Sequence, residues 1–527
     1  MKREVVNVIA GLGLLLLGAA VILGLLTGVL FLFPQVSILG AKAVNERSSE
    51  IIYRDPTLTA AFEQGRFILE STGVQIEVRM VNAGHPSEGT IAVYETATGI
   101  AFNSLSRTLV EWTQTLYNGE KYYRIKVLEP SGVVFSQNTM VYINLPHRDP
   151  TSSFRHNFVL QNHYSTVNFA FNDTKPGTTD ALRINDLVVE SAEAVNVPAN
   201  EYITINNVKI QSNNTKFNCQ ATVLNNVTVT GSNGTQTFAK INGNVTVSGD
   251  KGDNNKFRGD TAADVNFTNK NGSLTMNQVR KLTVDTTNAI VTVGNATGKA
   301  DVTTKHGDLR IRNLTGDLEF TAGSVDAPKP KATANVEVSS QLVGNVTIRN
   351  YGTGKINLSG VDGDVWISSY EVDGGTIDVK FASTAGQHST KIIGYDGNIN
   401  VKGINGNVYV EVRNWKNGAG AANIKLQYNK VVGESYVYAG GYVSGRRDWG
   451  NVDVELVNTN GFNMYVYGAS SANSSSIYGY DKNNMKISSW DIDDYNHAQS
   501  VSGIANAILG GGAGHLHIYS KQSVYLH

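Results

Sequence analysis

The most regular feature of the chain is an alternation of apolar and polar residues that restarts after a glycine and an Asn or Asp. One such segment reads Gly363-Asp364-Val365-Trp366-Ile367, in which apolar residues two apart place one face of a short strand inward. The Gly-Asn or Gly-Asp pair is expected to supply a positive-φ turn before each strand. The pattern recurs at residues 243–247, 307–311, 316–320, 344–348, 363–367, 397–401, 406–410 and 450–454.

This repetition predicts an all-β fold, a parallel β-helix or β-solenoid, over residues 182–496. Where neighbouring copies align best they are about 9 to 10 residues apart, so two strands form a repeat of about 18 to 20 residues. The 53 glycines and only 10 prolines suit many tight turns between short strands. A solenoid grows by adding repeats, so the length of 527 residues does not by itself count domains.

The regions around the repeats carry weaker patterns. Residues 66–146 contain separate alternating segments, such as 74–78, and predict a small β-sandwich-like cap. Such a cap would cover the first open sheet edge of the solenoid. Residues 147–181 are less periodic and are interpreted as a connector or an irregular first coil. Residues 497–527 are interpreted as a glycine-rich flexible loop that leads to one closing strand or C-terminal cap.

The N-terminus predicts a membrane anchor. Residues 5–33 form an uncharged, almost unbroken apolar run that exceeds the roughly 20 residues needed to cross a bilayer. We therefore expect a transmembrane helix over residues 1–34, then a polar stalk over 35–65 with a short helix near 58–65. The two basic residues before the run place the body outside the cell, as a single-pass membrane protein. A cleaved signal peptide is the alternative, because residues 41–43 have the small-x-small form of a cleavage site.

Charge and cysteine content exclude several classes of protein. Lys and Arg number 44 against 45 for Asp and Glu, so the net charge of −1 gives no attraction toward nucleic acid. Cys219 is the single cysteine; it has no partner for an intramolecular disulfide or a cysteine zinc site. Stability is therefore expected to come from stacked strands and their hydrogen bonds.

Candidate catalytic and metal-binding residues are better explained as structural residues. Four aspartates could fall on neighbouring turns, as in β-helix enzymes that cleave acidic polysaccharides, but most adjoin glycine, where Asp commonly stabilises a turn. His515 and His517 lie on one side of a strand without a visible third metal ligand. We therefore expect a protein that is not an enzyme and needs no cofactor or metal. The aspartates are Asp362, Asp364, Asp373 and Asp396.

Aromatic residues give the strongest indication of a binding surface. Tyr and Trp are sparse between about residues 165 and 390 and dense afterwards, and several occupy the strand phase opposite the aliphatic core. Outward aromatics on stacked strands could bind sugar rings or a partner protein, or could simply be good strand formers. The candidate ligand-binding residues are Trp366, Tyr409, Tyr436, Tyr438, Tyr465, Tyr467, Tyr478 and Tyr480.

Taken together, an N-terminal apolar helix, a β region that ends in Leu145-Pro146 and serial Gly-Asp/Asn-Val-x-Val/Ile segments resemble a bacterial adhesin family of cell-surface β-solenoid proteins. The resemblance covers about residues 65–490 and implies a surface-exposed, adhesive body without catalytic residues. We therefore expect binding to glycans or cell surfaces through one face of the solenoid. Two alternatives remain open: a self-associating subunit of a surface layer or appendage, and a polysaccharide lyase or hydrolase.

Overall fold

A computed structural model describes most of the chain outside the N-terminus, and β-strands dominate it, which confirms the all-β class. No helix within the described ranges has both the length and the apolar composition to cross a membrane. The predicted transmembrane helix lies almost entirely outside them. The described residues are 20–21, 42–101, 107–128, 133–148, 153–171, 181–249, 254–323, 333–369, 376–395, 397–413, 422–439, 450–457, 462–468, 477–479, 504–509, 514–520 and 524–526.

The chain divides into two compact units, residues 1–224 and 225–527. Among the described residues from 42 onward, the first unit contains one short helix and strands β1 to β13. These elements are β1 Lys42–Tyr53, α1 Pro56–Gln64, β2 Arg66–Thr72, β3 Gln75–Met80, β4 Thr90–Ala101, β5 Leu109–Tyr117, β6 Glu120–Leu128, β7 Val133–Leu145, β8 His156–His163, β9 Thr166–Phe171, β10 Leu182–Ser191, β11 Ala194–Val197, β12 Ile203–Ile210 and β13 Lys216–Val223.

Parallel pairing already organises the first unit. β6, β2, β8, β10 and β12 pair in parallel in that order, and β7, β3, β9, β11 and β13 form a second parallel series. Antiparallel partners flank both series, β5 beside β6 and β4 between β7 and β1. The arrangement differs from a β-sandwich-like cap. β8 and β9, which fall within the expected connector or irregular first coil at 147–181, are inner members of these series.

The polar stalk expected at residues 35–65 is wrong for its described part. β1 pairs with β4 along most of its length, and α1 buries Leu58, Ala61 and Phe62. Helix α1 begins where the Asp55 carboxylate accepts a hydrogen bond from the backbone N–H of Thr57 at 2.7 Å. It ends at Gly65, whose φ of 65° is the left-handed conformation typical of a helix C-terminus. Local capping therefore fixes both ends of a nine-residue helix.

The second unit consists of strands β14 to β37. They are β14 Val227–Val229, β15 Thr235–Ile241, β16 Val245–Ser248, β17 Asn254–Gly259, β18 Val265–Val279, β19 Leu282–Ala296, β20 Ala300–His306, β21 Leu309–Thr315, β22 Leu318–Ala322, β23 Val336–Val343, β24 Val346–Asn350, β25 Ile356–Asp362, β26 Val365–Ser369, β27 Thr376–Phe381, β28 His388–Tyr395, β29 Asn398–Arg413, β30 Ala422–Val431, β31 Glu434–Ala439, β32 Gly450–Leu456, β33 Phe462–Gly468, β34 Ile477–Gly479, β35 Ile504–Leu509, β36 Gly514–Ser520 and β37 Val524–Leu526.

Two columns of parallel strands run through this unit. The first column joins β14, β16, β20, β22, β24, β26, β28 and β31 with the first parts of β18 and β19 and the last part of β29. The second column joins β15, β17, β21, β23, β25, β27, β30 and β32 with the remaining parts of those three strands.

The repeat length predicted from the sequence agrees with the shortest steps in the first column. Val265 pairs with Leu282, Leu282 with Ala300 and Ala300 with Leu318, so these partners are about 18 residues apart. Other steps are longer, such as the step from Leu318 to Val346. The repeat-like strand architecture is therefore present, with extra residues added between some strands.

The Asn and Asp residues of the repeated segment connect successive strands. The backbone N–H of Asn345 donates to the Asp317 carboxylate at 2.9 Å, and that of Asp364 donates to the Asn345 side-chain oxygen at 3.1 Å. The N–H of Ser389 continues the series with a 2.8 Å bond to Asp364. Each side chain thus satisfies a backbone donor at the start of the next strand in the column.

The glycine before each of these residues is required chiefly by close packing between neighbouring strands. A Cβ atom built on Gly363 would lie 2.1 Å from the carbonyl oxygen of Gly344, and one on Gly344 would lie 2.5 Å from the carbonyl carbon of Gly316. Gly344 also has a φ of 143°, but Gly363 has no positive φ. The expected positive-φ turn therefore accounts for only some of the glycines, and the close approach accounts for both positions.

The C-terminal strands return to the inside of the two columns. β36 pairs in parallel with both β31 and β33, and β37 pairs in parallel with both β32 and β34. β35 is antiparallel to β33. The described part of residues 497–527 therefore contributes three strands, where the sequence predicted a loop with one closing strand or C-terminal cap.

Candidate recognition face

Five outward positions of the first column align directly across successive strands. Trp366 lies opposite Lys391, Lys391 opposite Tyr409, Tyr409 opposite Tyr436, and Tyr436 opposite His517. We call these five residues the aromatic file. Neighbouring strands in a sheet are about 4.8 Å apart, so the file presents its side chains at a regular spacing.

The strand phase predicted from the sequence is confirmed around this file. Val365 and Ile367 flank Trp366 and are buried, and Val408 and Val410 flank Tyr409 and are buried. Trp366 itself is 41% exposed. The aliphatic residues therefore lie on the buried side of this sheet, and the aromatic file lies on the opposite side.

Two cations lie over the rings at the first end of the file. The Arg349 guanidinium is 4.9 Å from the centre of the Trp366 ring, and the Lys391 ammonium is 5.5 Å from the centre of the Tyr409 ring. Both separations are within the range of cation–π attraction. Arg349 precedes Trp366 by one strand in the column, so the pairing depends on strand register.

The rings continue as a contiguous cluster toward β36. Tyr409 and Tyr438 have ring centres 5.7 Å apart, and Tyr436 and Tyr438 are stacked at 6.4 Å. His517 stacks on Tyr436 at 4.9 Å, with an interplanar angle of 12°. From the sequence, His517 is expected on a terminal strand rather than in a metal site; its place in the aromatic file depends on pairing between distant residues.

Carboxylates give the face a polar component. The Tyr409 hydroxyl donates to Glu411 at 2.9 Å, and His517 Nε2 is 3.0 Å from the Glu434 carboxylate. The face therefore combines flat rings, two cations and two carboxylates. Such a set can stack on the apolar faces of sugar rings while forming hydrogen bonds to their hydroxyl groups.

The remaining predicted ligand residues are placed only in part. By backbone register Tyr465 lies opposite His517, Tyr467 opposite Tyr519 and Tyr478 opposite Tyr525. Tyr480 lies outside the described residues. Aromatic enrichment after residue 390 is also not wholly on the outer face, because Tyr428 is fully buried and its burial raises the pKa of its hydroxyl.

The aspartates considered for catalysis do not form a described acid–base pair. Asp364 binds the Ser389 N–H, and Asp362 lies 3.5 Å from His388 Nε2. Asp373 and Asp396 lie outside the described residues. Across the described ranges, no group of three or more His, Cys, Asp or Glu residues could hold a metal ion. Cys219 is buried, and burial raises the pKa of its thiol to about 12.

A scan against protein-family models, a search of curated proteins and a search of solved structures found no match to this chain.

Proposed function

We propose that the protein is a membrane-anchored surface protein that binds glycans or cell surfaces through the aromatic file and its neighbours Tyr438 and Arg349. The observation that supports this most directly is the in-register alignment of Trp366, Lys391, Tyr409 and Tyr436 on the outer side of the first column. Aromatic rings that repeat at strand spacing suit a ligand that itself repeats, such as a polysaccharide.

A parallel β-solenoid is the fold that we propose for the body. The two columns of the second unit and their shortest steps of about 18 residues support it. A solenoid with outward aromatics is also what the resemblance to the bacterial adhesin family implies. The apolar run at residues 5–33 supports the anchor and an extracytoplasmic position for the body.

Binding should be measured with the full chain in detergent on a glycan array and on whole cells. The double variants Trp366→Ala/Tyr409→Ala and Tyr436→Ala/Tyr438→Ala should each reduce binding at least tenfold, about 1.4 kcal/mol, with little change in melting temperature. Tyr164→Ala is the matched control, because Tyr164 is 83% exposed and belongs to the first unit. Unchanged binding by both double variants would refute a recognition role for this face.

The anchor requires a separate test. Mass spectrometry of protein extracted from membranes should detect peptides from before Ala43, because a run of this length exceeds the apolar core of a usual signal peptide. A mature N-terminus at Val44 would show instead that the segment is a cleaved signal peptide.

A further inference from the structure

The last strands of the chain fill a slot between strands that precede them in the sequence. β36 lies between β31 and β33 in the first column, and β37 lies between β32 and β34 in the second. We call β36 and β37 together the closing segment. The other parallel strands in the two columns follow one another in sequence order, so each pairs with the preceding and the following strand of its own column.

The closing segment makes specific contacts with the strand on which it lies. Leu516 and Ile518 are fully buried. The backbone N–H of His515 donates to the Gly433 carbonyl at 2.8 Å, and His517 stacks on Tyr436. The slot therefore selects this sequence through buried apolar side chains as well as through backbone hydrogen bonds.

The closing segment pairs with strands that lie much farther away in sequence than other partners in the two columns do. Tyr436 pairs with His517, and β32 pairs with β37, which is almost as remote in sequence. Other partners within the two columns are less than half as far apart in sequence as Tyr436 and His517 are. This holds even for Leu318 and Val346, which are among the most widely separated of them. The closing segment therefore pairs with strands that it does not directly follow, and this pairing alone does not determine which copy of the chain supplies the segment. A second copy of the same chain offers an identical slot, so the two copies compete for the segment by mass action.

We propose that the closing segment also occupies the slot of a second copy, so that chains associate by strand exchange. The partner is another copy of this chain, because the segment seated in the slot is the chain's own. The exchanged contacts are identical to those within one chain, so protein concentration during folding determines how many chains are linked. Strand exchange is a form of self-association and does not require glycan binding.

Single-cysteine chains provide the test, in the full chain with Cys219→Ser and in detergent. A Tyr436→Cys chain and a His517→Cys chain are unfolded together, refolded and oxidised. Directly paired strand residues have the Cα separation that a disulfide requires, so a disulfide between the two chains should form. While linked chains are the minority, tenfold more protein should raise their ratio to monomer about tenfold.

Two controls keep the result interpretable. Trp366→Cys mixed with His517→Cys should give no specific cross-link, because Trp366 pairs with Lys391. Glu434→Cys with His515→Cys is a second directly paired set in case the first variants misfold. For each set, the chain that carries both cysteines should form the internal disulfide at low concentration. Internal disulfides without any cross-link between mixed chains, at every concentration, would overturn strand exchange.

Discussion

Acidification should weaken the first unit through one buried histidine, His156. Its side chain is 1% exposed, and among the described residues neither ring nitrogen has a hydrogen-bond partner. The ring packs among Phe67, Phe154 and Phe158, and Arg148 lies over the Phe154 ring. Burial, and to a lesser extent the positive charge of Arg148, lowers the pKa of His156 to about 3.

The sign of the effect follows from proton uptake. The unfolded chain, in which the histidine pKa is 6.5, binds a proton at a higher pH than the folded chain. Stability is therefore fully present above about pH 6.5 and is lost as the pH falls from there toward 3. At pH 5 these two pKa values give a loss of about 2 kcal/mol, or about 30-fold in the opening equilibrium.

Hydrogen exchange detected by mass spectrometry can measure this loss locally. After correction for intrinsic exchange rates, protection of the β8 amides should fall about 30-fold between pH 7 and pH 5. His156→Leu should abolish most of that fall, whatever its effect at pH 7, whereas replacement of the exposed His163 by Leu should leave it unchanged. An equal fall in His156→Leu and in the unchanged protein would refute the assignment to His156.

Three further predictions concern packing and reactivity. Ile367→Ala should lower the free energy of unfolding by about 2 to 5 kcal/mol and Trp366→Ala by less than about 1 kcal/mol, measured by urea unfolding; equal losses would contradict the strand phase. Gly363→Ala should cost about 3 kcal/mol by overpacking in the same assay, whereas Gly386→Ala, with open space around its Cβ, should change stability by less than about 0.5 kcal/mol. Cys219 should resist alkylation at pH 8 in the folded protein and react in urea, and rapid labelling of the folded chain would disprove its burial.

The repeated strands were predictable because their information is local. Alternation with a period of two placed Val365, Ile367, Val408 and Val410 in the core, and the structure buries all four. β8 was missed because it is not a one-sided strand. Its burial pattern has three consecutive buried residues, and Val159 belongs to a separate apolar cluster. Burial on both faces removes the alternation on which the prediction depended.

Residues of the candidate site could be predicted only where the prediction did not require knowing which strands pair. Outward phase identified Trp366 and Tyr436 within their own strands. The positions of Arg349, Lys391 and His517 depend on which strands pair, and the paired strands are unevenly spaced along the chain. Trp366 pairs with Lys391, whereas Tyr436 pairs with His517, which is several times farther away in sequence. No single repeat length gives both steps, so the cations and the histidine could not be assigned to the face from the sequence.

The number of residues between paired strands varies, which indicates that the fold tolerates insertions between its strands. From Ala300 onward the first column continues through Leu318, Val346, Val365 and Thr390, which are unevenly spaced in sequence, yet each strand still pairs in register with the last. Backbone hydrogen bonds and the Asn and Asp side chains fix the distance between strands, so an insertion between strands does not have to alter it. Loops could thus be lengthened, exchanged or engineered to display new sequences while the sheet beneath them keeps its spacing.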